Sequence, residues 1–368
     1  MKKRIYFKGY YGFKNIGDDI FCVTADWVCN RIWGNKKPIF IGKELPNLSN
    51  NSIKKNISNY WLRKLYEFII LFKSERIIYF GGTLFSKVGG IKDIKYILSK
   101  FPIFHSKLGT IGTSIGPFKD EKDYESIKYF LSNFKFISVR DYSSLEMLNK
   151  MKLNTVASFS FDTAILIKEV YPALKTKRKK NEKNKLKIAI SLCHYERYVS
   201  GDLEKEKERE DSVTEFISRV LKEYNNDIEE IVFFEFNGSE DKGDLEITNK
   251  LYKKFSNKVN SRIVSYTTDT LNFIEELNNC DFLIGMRLHA GILAYTLNLP
   301  FMLVEYHNKC TEFLNTVNHK YRYYFDNQDE NLKNFHTLFQ NGFVPNIEDP
   351  KKFENILLNE LKELNKVI

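Results

Sequence analysis

The chain has few cysteines, no long apolar run and no metal-ligand spacing, and each absence removes a class of protein. Cys22, Cys29, Cys193, Cys280 and Cys310 are odd in number, form no Cys-x-x-Cys pair and mostly sit inside apolar runs. That excludes a disulfide scaffold and a zinc site, and it points to reduced core thiols in cytosol. No run approaches the roughly 20 apolar residues that a membrane helix needs; the longest, around Phe68 to Phe72, is far shorter. Only Ile5, Tyr6 and Phe7 separate the basic start from Lys8, too little for a signal-peptide core. No RNA- or DNA-reading signature accompanies the scattered lysines, so no nucleic-acid partner is expected. The expected location is the cytoplasm, at most peripheral to the cytoplasmic membrane.

What is present is a globular composition, 43% hydrophobic and 28% charged. At 368 residues the chain is too long for one ordinary core and suits two domains. Its formal charge of +10 fits an anionic membrane surface or phosphorylated substrates. The run KTKRKKNEKNKLK, Lys175 to Lys187, has no apolar face and reads as a solvated linker. It divides the chain into residues 1–176 and 186–368, with a basic linker at 177–185 that can also meet anionic lipid.

The most informative stretch is Cys280 to Lys309. It reads as a buried strand, a turn, a wholly apolar helix from Ala290 to Leu297, and a second buried strand behind Pro300. The turn Met286-Arg287-Leu288-His289 is read as extended, which points Arg287 and His289 the same way while Leu288 faces the core. A guanidinium and an imidazole then lie beyond a parallel strand and at a helix amino terminus, where open α/β sheets bind ligands and anions. An isolated Arg-x-His is usually structural. Here the fully apolar neighbours give the two side chains no local work, and Lys309 adds a cation after the next strand.

The same alternation runs along the whole chain. A strand at Arg4 to Tyr10 leads into GYYGFKNIGDD and a helix; the glycines permit a tight turn, but the spacing is not the dinucleotide G-x-G-x-x-G. Asp18 is the acid there that can serve as a base, with helix capping as its competing role. Later strands end in Gly81-Gly82-Thr83, in Gly116-Pro117 and in Arg140-Asp141. Arg140 is read with equal weight as a ligand contact or as half of an ion pair with Asp141 or Asp123. Ser143 to Glu146 and Ser212 to Glu215 both read as capping boxes that open helices. Leu203 to Asp211, almost entirely charged, reads as an exposed insertion, and Phe353 to Leu364 as an amphipathic closing helix.

Taken together, GYYGFKNIGDD, FGGTLFS, GTSIGPF, SVRDYSS, SFDTA, FFEFNGSEDKGD, SYTTDT, GMRLHAGILA and EYHNKCTEF resemble the polysaccharide pyruvyl transferase family in order and number. The resemblance implies two Rossmann-like lobes of GT-B type facing a cleft, and the amphipathic closing helix is expected to pack back across the lobes. It implies transfer of the pyruvyl group of phosphoenolpyruvate to sugar hydroxyls of a capsule, exopolysaccharide or cell-wall precursor, giving a cyclic ketal and phosphate. Phosphoenolpyruvate is the donor, a lipid-linked or free oligosaccharide the acceptor, and no cofactor or metal is expected. Carried onto this chain, Arg140, Arg287 and Leu288 belong to the donor site and His289 is the candidate general acid; from the residues themselves, Lys309 is read as a further donor contact and Asp18 as the candidate base. Tyr11, Asn15, Gly17, Gly82, Thr83 and Tyr306 are candidates for the acceptor side or its loops. Where many members carry a third glycine, this chain has Thr83. The rival readings are a nucleotide-sugar glycosyltransferase of the same architecture and a catalytically silent glycan-binding or assembly subunit.

Overall fold

The computed structural model describes residues 3–34, 36–175 and 185–368. The fold is α/β and divides into two compact units. The first holds β1 Arg4–Lys8, α1 Ile16–Arg31, β2 Lys37–Gly42, β3 Ile53–Asn56, α2 Tyr60–Lys73, β4 Arg76–Phe80, β5 Thr83–Phe85 and α3 Ile94–Lys100. It continues through β6 Leu108–Ile115, α4 Glu121–Leu131, β7 Phe136–Val139, α5 Tyr142–Met151 and β8 Ala157–Phe159. The strands form one parallel sheet in the order β3-β2-β1-β4-β6-β7-β8, with β5 beside β6. β6 and β7 are buried at every position and β4 at every position after Arg76, as expected of central strands covered on both faces.

The second unit contains α6 Ile167–Val170, β9 Leu186–Ser191, α7 Glu196–Val199, α8 Leu203–Tyr224, β10 Ile228–Phe234, α9 Leu245–Phe255 and β11 Ser261–Val264. It closes with α10 Thr270–Asn278, β12 Phe282–Gly285, α11 Leu288–Leu297, β13 Phe301–Leu303, α12 Asn308–Thr316 and α13 Gln328–Asn341. Its sheet is also parallel, ordered β11-β10-β9-β12-β13. Among the described residues, no helix is long and apolar enough to cross a membrane.

The expected boundaries shift. The break falls between Leu166 and Ile167, Lys14–Gly17 group with the second unit, and Lys351–Ile368 group with the first. The reason for the last is packing by α14, Pro350–Leu364, which ends the chain. Phe353 stacks on Phe161 at 4.3 Å, the Leu361 carbonyl accepts from Trp33 Nε1 at 2.8 Å, and Glu360 accepts from Ser158 Oγ at 2.6 Å. The expected linker at 177–185 lies outside the described residues except for Lys185.

Two helix starts also differ from expectation. The charged run Leu203 to Asp211 is no insertion: it is the first half of α8, capped by Asp202, whose carboxylate accepts from Lys205 N at 2.9 Å. Ser212 therefore lies inside the helix, and its hydroxyl donates to the Phe325 carbonyl at 2.8 Å. Likewise α5 is capped by Asp141, which accepts from Ser144 N at 2.8 Å, ahead of the expected box.

Candidate functional site

In the second unit the candidate residues gather at the amino end of α11. β12 is buried throughout, and Met286 N ties its end to β9 by donating to the Ser191 carbonyl at 2.7 Å. Arg287 is extended and is the residue before the helix; it offers no side-chain acceptor to the first N–H groups. The helix already begins at Leu288, so the extended stretch ends sooner than expected. Leu288 is buried, with its side chain in the core.

The Arg287 guanidinium is held by Asp244, the residue before α9. Nε donates to Oδ2 at 3.1 Å and Nη2 to Oδ1. Asp244 is fully buried and also accepts from Asn237 N at 3.0 Å. Burial pushes the Asp244 carboxyl up, while Arg287 pulls it down. Arginine keeps its charge, and its fork meets both carboxylate oxygens of Asp244. Sequence reasoning misses Asp244 although it lies in the motif FFEFNGSEDKGD, because an acid in a polar loop gives no sign of its partner.

His289 is half-buried in the first turn of α11 and packs on Gly17. A Cβ added at Gly17 would lie 2.0 Å from His289 Nδ1 and 2.4 Å from Cγ. That is why this position is glycine. The turn carrying Gly17 is fixed from both sides: Asn15 Oδ1 accepts from Gly17 N at 2.9 Å, Ile16 N donates to the Phe236 carbonyl at 3.0 Å, and Gly238 N donates to the Lys14 carbonyl at 2.8 Å. Asn15 and Asn237 form an antiparallel bridge. The tail of the glycine-rich turn, the loop carrying Asp244 and the Arg-Leu-His turn are thus one assembly.

Lys309 is half-buried in the first turn of α12, where its N–H donates to His307 Nδ1 at 3.1 Å. Burial raises the Cys193 thiol to about 12, opposed by the positive charges of Arg287 and Lys309, so both cations lie within electrostatic reach of that thiol. Tyr306 instead belongs to the core, edge-on to Tyr195 at 4.6 Å. The other end of α11 borders a cavity of about 460 Å³ lined by Tyr295, Asn298 and Phe343 among others, with none of the candidates in its wall.

In the first unit a second assembly forms at the carboxyl ends of β4, β6, β7 and β8. Arg140 is buried and follows β7. Its Nη1 pairs with Asp162 at 2.6 Å, Nε donates to Ser114 Oγ at 2.7 Å and Nη2 donates to Thr83 Oγ1 at 3.1 Å. Ser114 in turn donates to Asp141 at 2.5 Å. The ion-pair alternative for Arg140 is therefore correct in kind but not in partner: Asp162, from SFDTA, replaces Asp141 and Asp123. Gly81 and Gly82, at φ 71° and 81°, turn the chain so that Thr83 reaches this arginine.

Two other candidates lie in this unit. Tyr11 is buried and its hydroxyl donates to the Phe80 carbonyl at 2.6 Å, which ties it to the end of β4. Asn15 caps α1 by accepting from Gly17 N, and Asp18 lies half-buried in the first turn, where the helix dipole favours a carboxylate.

Among the described residues, one group has metal-ligand spacing: His194, Glu206 and Glu210, all buried, with ligand atoms within 4.8 Å of one another. Sequence reasoning misses it because two of the three lie in the charged run that reads as an insertion. His194 Nδ1 lies 2.6 Å from Glu210 and 3.3 Å from Glu206. Both carboxylates are already paired, Glu206 with Arg197 at 2.7 Å and Glu210 with Lys250 at 2.8 Å. The geometry is that of a compensated ion network, and a metal ion would have to compete with those cations.

The family model described as polysaccharide pyruvyl transferase matches residues 15–308. Among solved structures, an S. aureus MnaA–UDP co-structure aligns over 100% of this chain and 98% of its own, with TM-score 0.63 and 13% identity. A UDP-GlcNAc 2-epimerase from Methanocaldococcus jannaschii in complex with UDP-GlcNAc and UDP gives TM-score 0.63 at 14% identity, over 100% and 99% of the two chains. The Neisseria meningitidis UDP-GlcNAc 2-epimerase bound to UDP-GlcNAc gives 0.59 at 10%, covering 100% of each. At such identities these likenesses establish the α/β architecture of two parallel, Rossmann-like sheets, GT-B-like in type.

Proposed function

The chain belongs to the polysaccharide pyruvyl transferase family, and from that premise we propose that it moves the pyruvyl group of phosphoenolpyruvate onto two hydroxyls of one sugar in a surface-glycan precursor. The observation that carries this reading is the assembly at the amino end of α11, where Arg287, fixed by Asp244, adjoins a His289 seated on Gly17. Phosphoenolpyruvate carries a carboxylate and a phosphate, and a guanidinium held in a fixed plane offers paired donors to either.

The reaction balances as follows. His289 donates a proton to the methylene carbon of the enol, which becomes a methyl group and leaves the central carbon electrophilic. A first sugar hydroxyl adds there and its proton passes to a base, for which Asp18 is the candidate. Phosphate departs with the C–O bond electrons, and the second hydroxyl closes the ketal. Of the two hydroxyl protons, one replaces the proton given to the methylene and the other leaves with phosphate.

The test is His289→Gln, which keeps size and hydrogen bonding but removes acid chemistry. Donor binding should persist while phosphate release with a sugar acceptor falls by at least about a hundredfold. Near wild-type turnover in this variant removes His289 from the acid role. A second reading, nucleotide-sugar transfer, is favoured by neighbours whose structures contain UDP or UDP-GlcNAc. Sugar transfer from a nucleotide donor, with no phosphoenolpyruvate binding, would establish it instead; glycan binding alone would point to a silent subunit.

A further inference from the structure

One face of α2 is apolar and exposed along the whole helix. Trp61, Leu62, Leu65, Phe68, Ile69 and Phe72 are between 39 and 65% exposed. At 3.6 residues per turn these positions fall within about 120° of arc. The inward side is formed by Glu67, Ile70 and Leu71. Lys64 and Lys73 stand one on each edge of the exposed arc.

The patch continues beyond the helix at both ends. At the amino end, Lys92 Nζ lies 5.8 Å above the Trp61 ring, next to Ile91, which is 75% exposed. At the carboxyl end, Phe72 packs 5.0 Å from Phe104, and Lys107 Nζ reaches the Leu71 carbonyl at 3.3 Å. Phe101 and Ile103 lie exposed on that same segment. The acid of α2 is withdrawn from this face: Glu67 is buried, accepts from Tyr6 Oη at 2.7 Å and from Lys8, and lies 3.5 Å from Lys64 Nζ. Single exposed apolar residues are ordinary, but a contiguous patch of this kind marks a binding surface.

We propose that this face docks on an anionic lipid bilayer, with α2 lying in the plane of the interface. A helix of 14 residues is about 21 Å long, too short to span. Its composition is that of an interfacial helix: Trp, Phe, Leu and Ile on one arc, and lysines at the edges whose stems lie along the apolar surface while their ammonium groups reach lipid phosphates. Charge complementarity selects the bilayer over a second copy of the chain. Two such faces brought together would crowd Lys73, Lys92 and Lys107 of one copy against the same lysines of the other, whereas an anionic leaflet attracts every one of them. The inference is independent of the donor chemistry and rests on residues other than the basic run at 177–185.

The experiment is co-sedimentation of the full chain with phosphatidylglycerol-containing vesicles and with phosphatidylcholine vesicles. Partitioning should be at least about tenfold stronger onto the anionic vesicles and should weaken with salt. Leu65→Glu/Phe68→Glu should lose at least about tenfold in partitioning with unchanged thermal unfolding. In the wild type, brominated lipid should quench a fluorescence component that Trp61→Phe removes, which reads insertion without perturbing the face. Undiminished partitioning of the double variant, no sedimentation at low salt, or a wild-type dimer that Leu65→Glu/Phe68→Glu makes monomeric would each overturn the proposal.

Discussion

Gly17→Ala separates the site from the fold more sharply than any change at a charged residue. The added Cβ would lie 2.0 Å from His289 Nδ1, and ordinary carbon contacts begin at about 3.5 Å. The imidazole must therefore withdraw by about 1.5 Å or rotate out of place, and a shift near 1 Å in a reacting group can cost about a hundredfold in rate. The fold loses little, because Gly17 lies in the first turn of α1, where alanine is the better helix former by about 0.5–1 kcal/mol. The expectation is unfolding free energy within about 2 kcal/mol of wild type, retained donor binding, and loss of phosphate release comparable to His289→Gln. The imidazole resonance of His289, assigned among the six histidines by its loss in His289→Gln, should shift in the variant. Wild-type turnover with an unmoved resonance would refute the argument that His289 acts from its seat on Gly17.

Arg140→Ala leaves Asp162 buried without its cation, so denaturant unfolding should show a loss of about 3–5 kcal/mol, much of it recovered in Arg140→Ala/Asp162→Ala. Tyr11→Phe should cost about 1–3 kcal/mol by leaving the Phe80 carbonyl without its donor, while turnover per folded molecule stays at the wild-type level. His319 is buried against the Phe301 carbonyl, and burial lowers it from 6.5 to about 4. Between those values the unfolded chain binds a proton that the native chain refuses, so stability rises with pH through this window. Acidification from about 6.5 to 4 should therefore remove up to about 3 kcal/mol, and His319→Gln should flatten that part of the profile.

The sheets were legible in the sequence because their strands are buried on both faces and read as apolar runs: Arg76 to Phe80 and Phe136 to Val139 have the expected ends. Helices were legible where an apolar face met a cap, and failed where charge hid the face. Glu206 and Glu210 are buried by partners distant in sequence, so the first half of α8 looked like solvent-facing insertion. The arginines stood out because they follow apolar strands. Their partners did not, because Asp162 and Asp244 lie far along the chain from the arginines they pair with, and nothing local marks the pairing. Tyr11 and Tyr306 are buried, a property the sequence does not display, because an aromatic hydroxyl in a motif reads the same whether it faces a ligand or the core.

Each unit thus places an arginine after a parallel strand and binds it to a buried aspartate, yet the two places differ in what they offer an anion. The guanidinium of Arg140 is engaged at all three nitrogens, by Ser114, Asp162 and Thr83, and the helix beginning beside it is capped by Asp141. A further anion there would meet two carboxylates and a helix end already supplied with an acceptor. Arg287 has one carboxylate partner among the described residues, and the side chain before α11 supplies no acceptor to that helix. Lys309 adds positive charge within reach of the same thiol that feels Arg287. A helix amino terminus without a side-chain acceptor at its cap, preceded by a guanidinium, favours negative charge. On the proposed reading, the donor's anionic groups are therefore held chiefly at α11, and the role of Arg140 shifts from direct donor contact toward fixing the Thr83 turn and the ends of its strands.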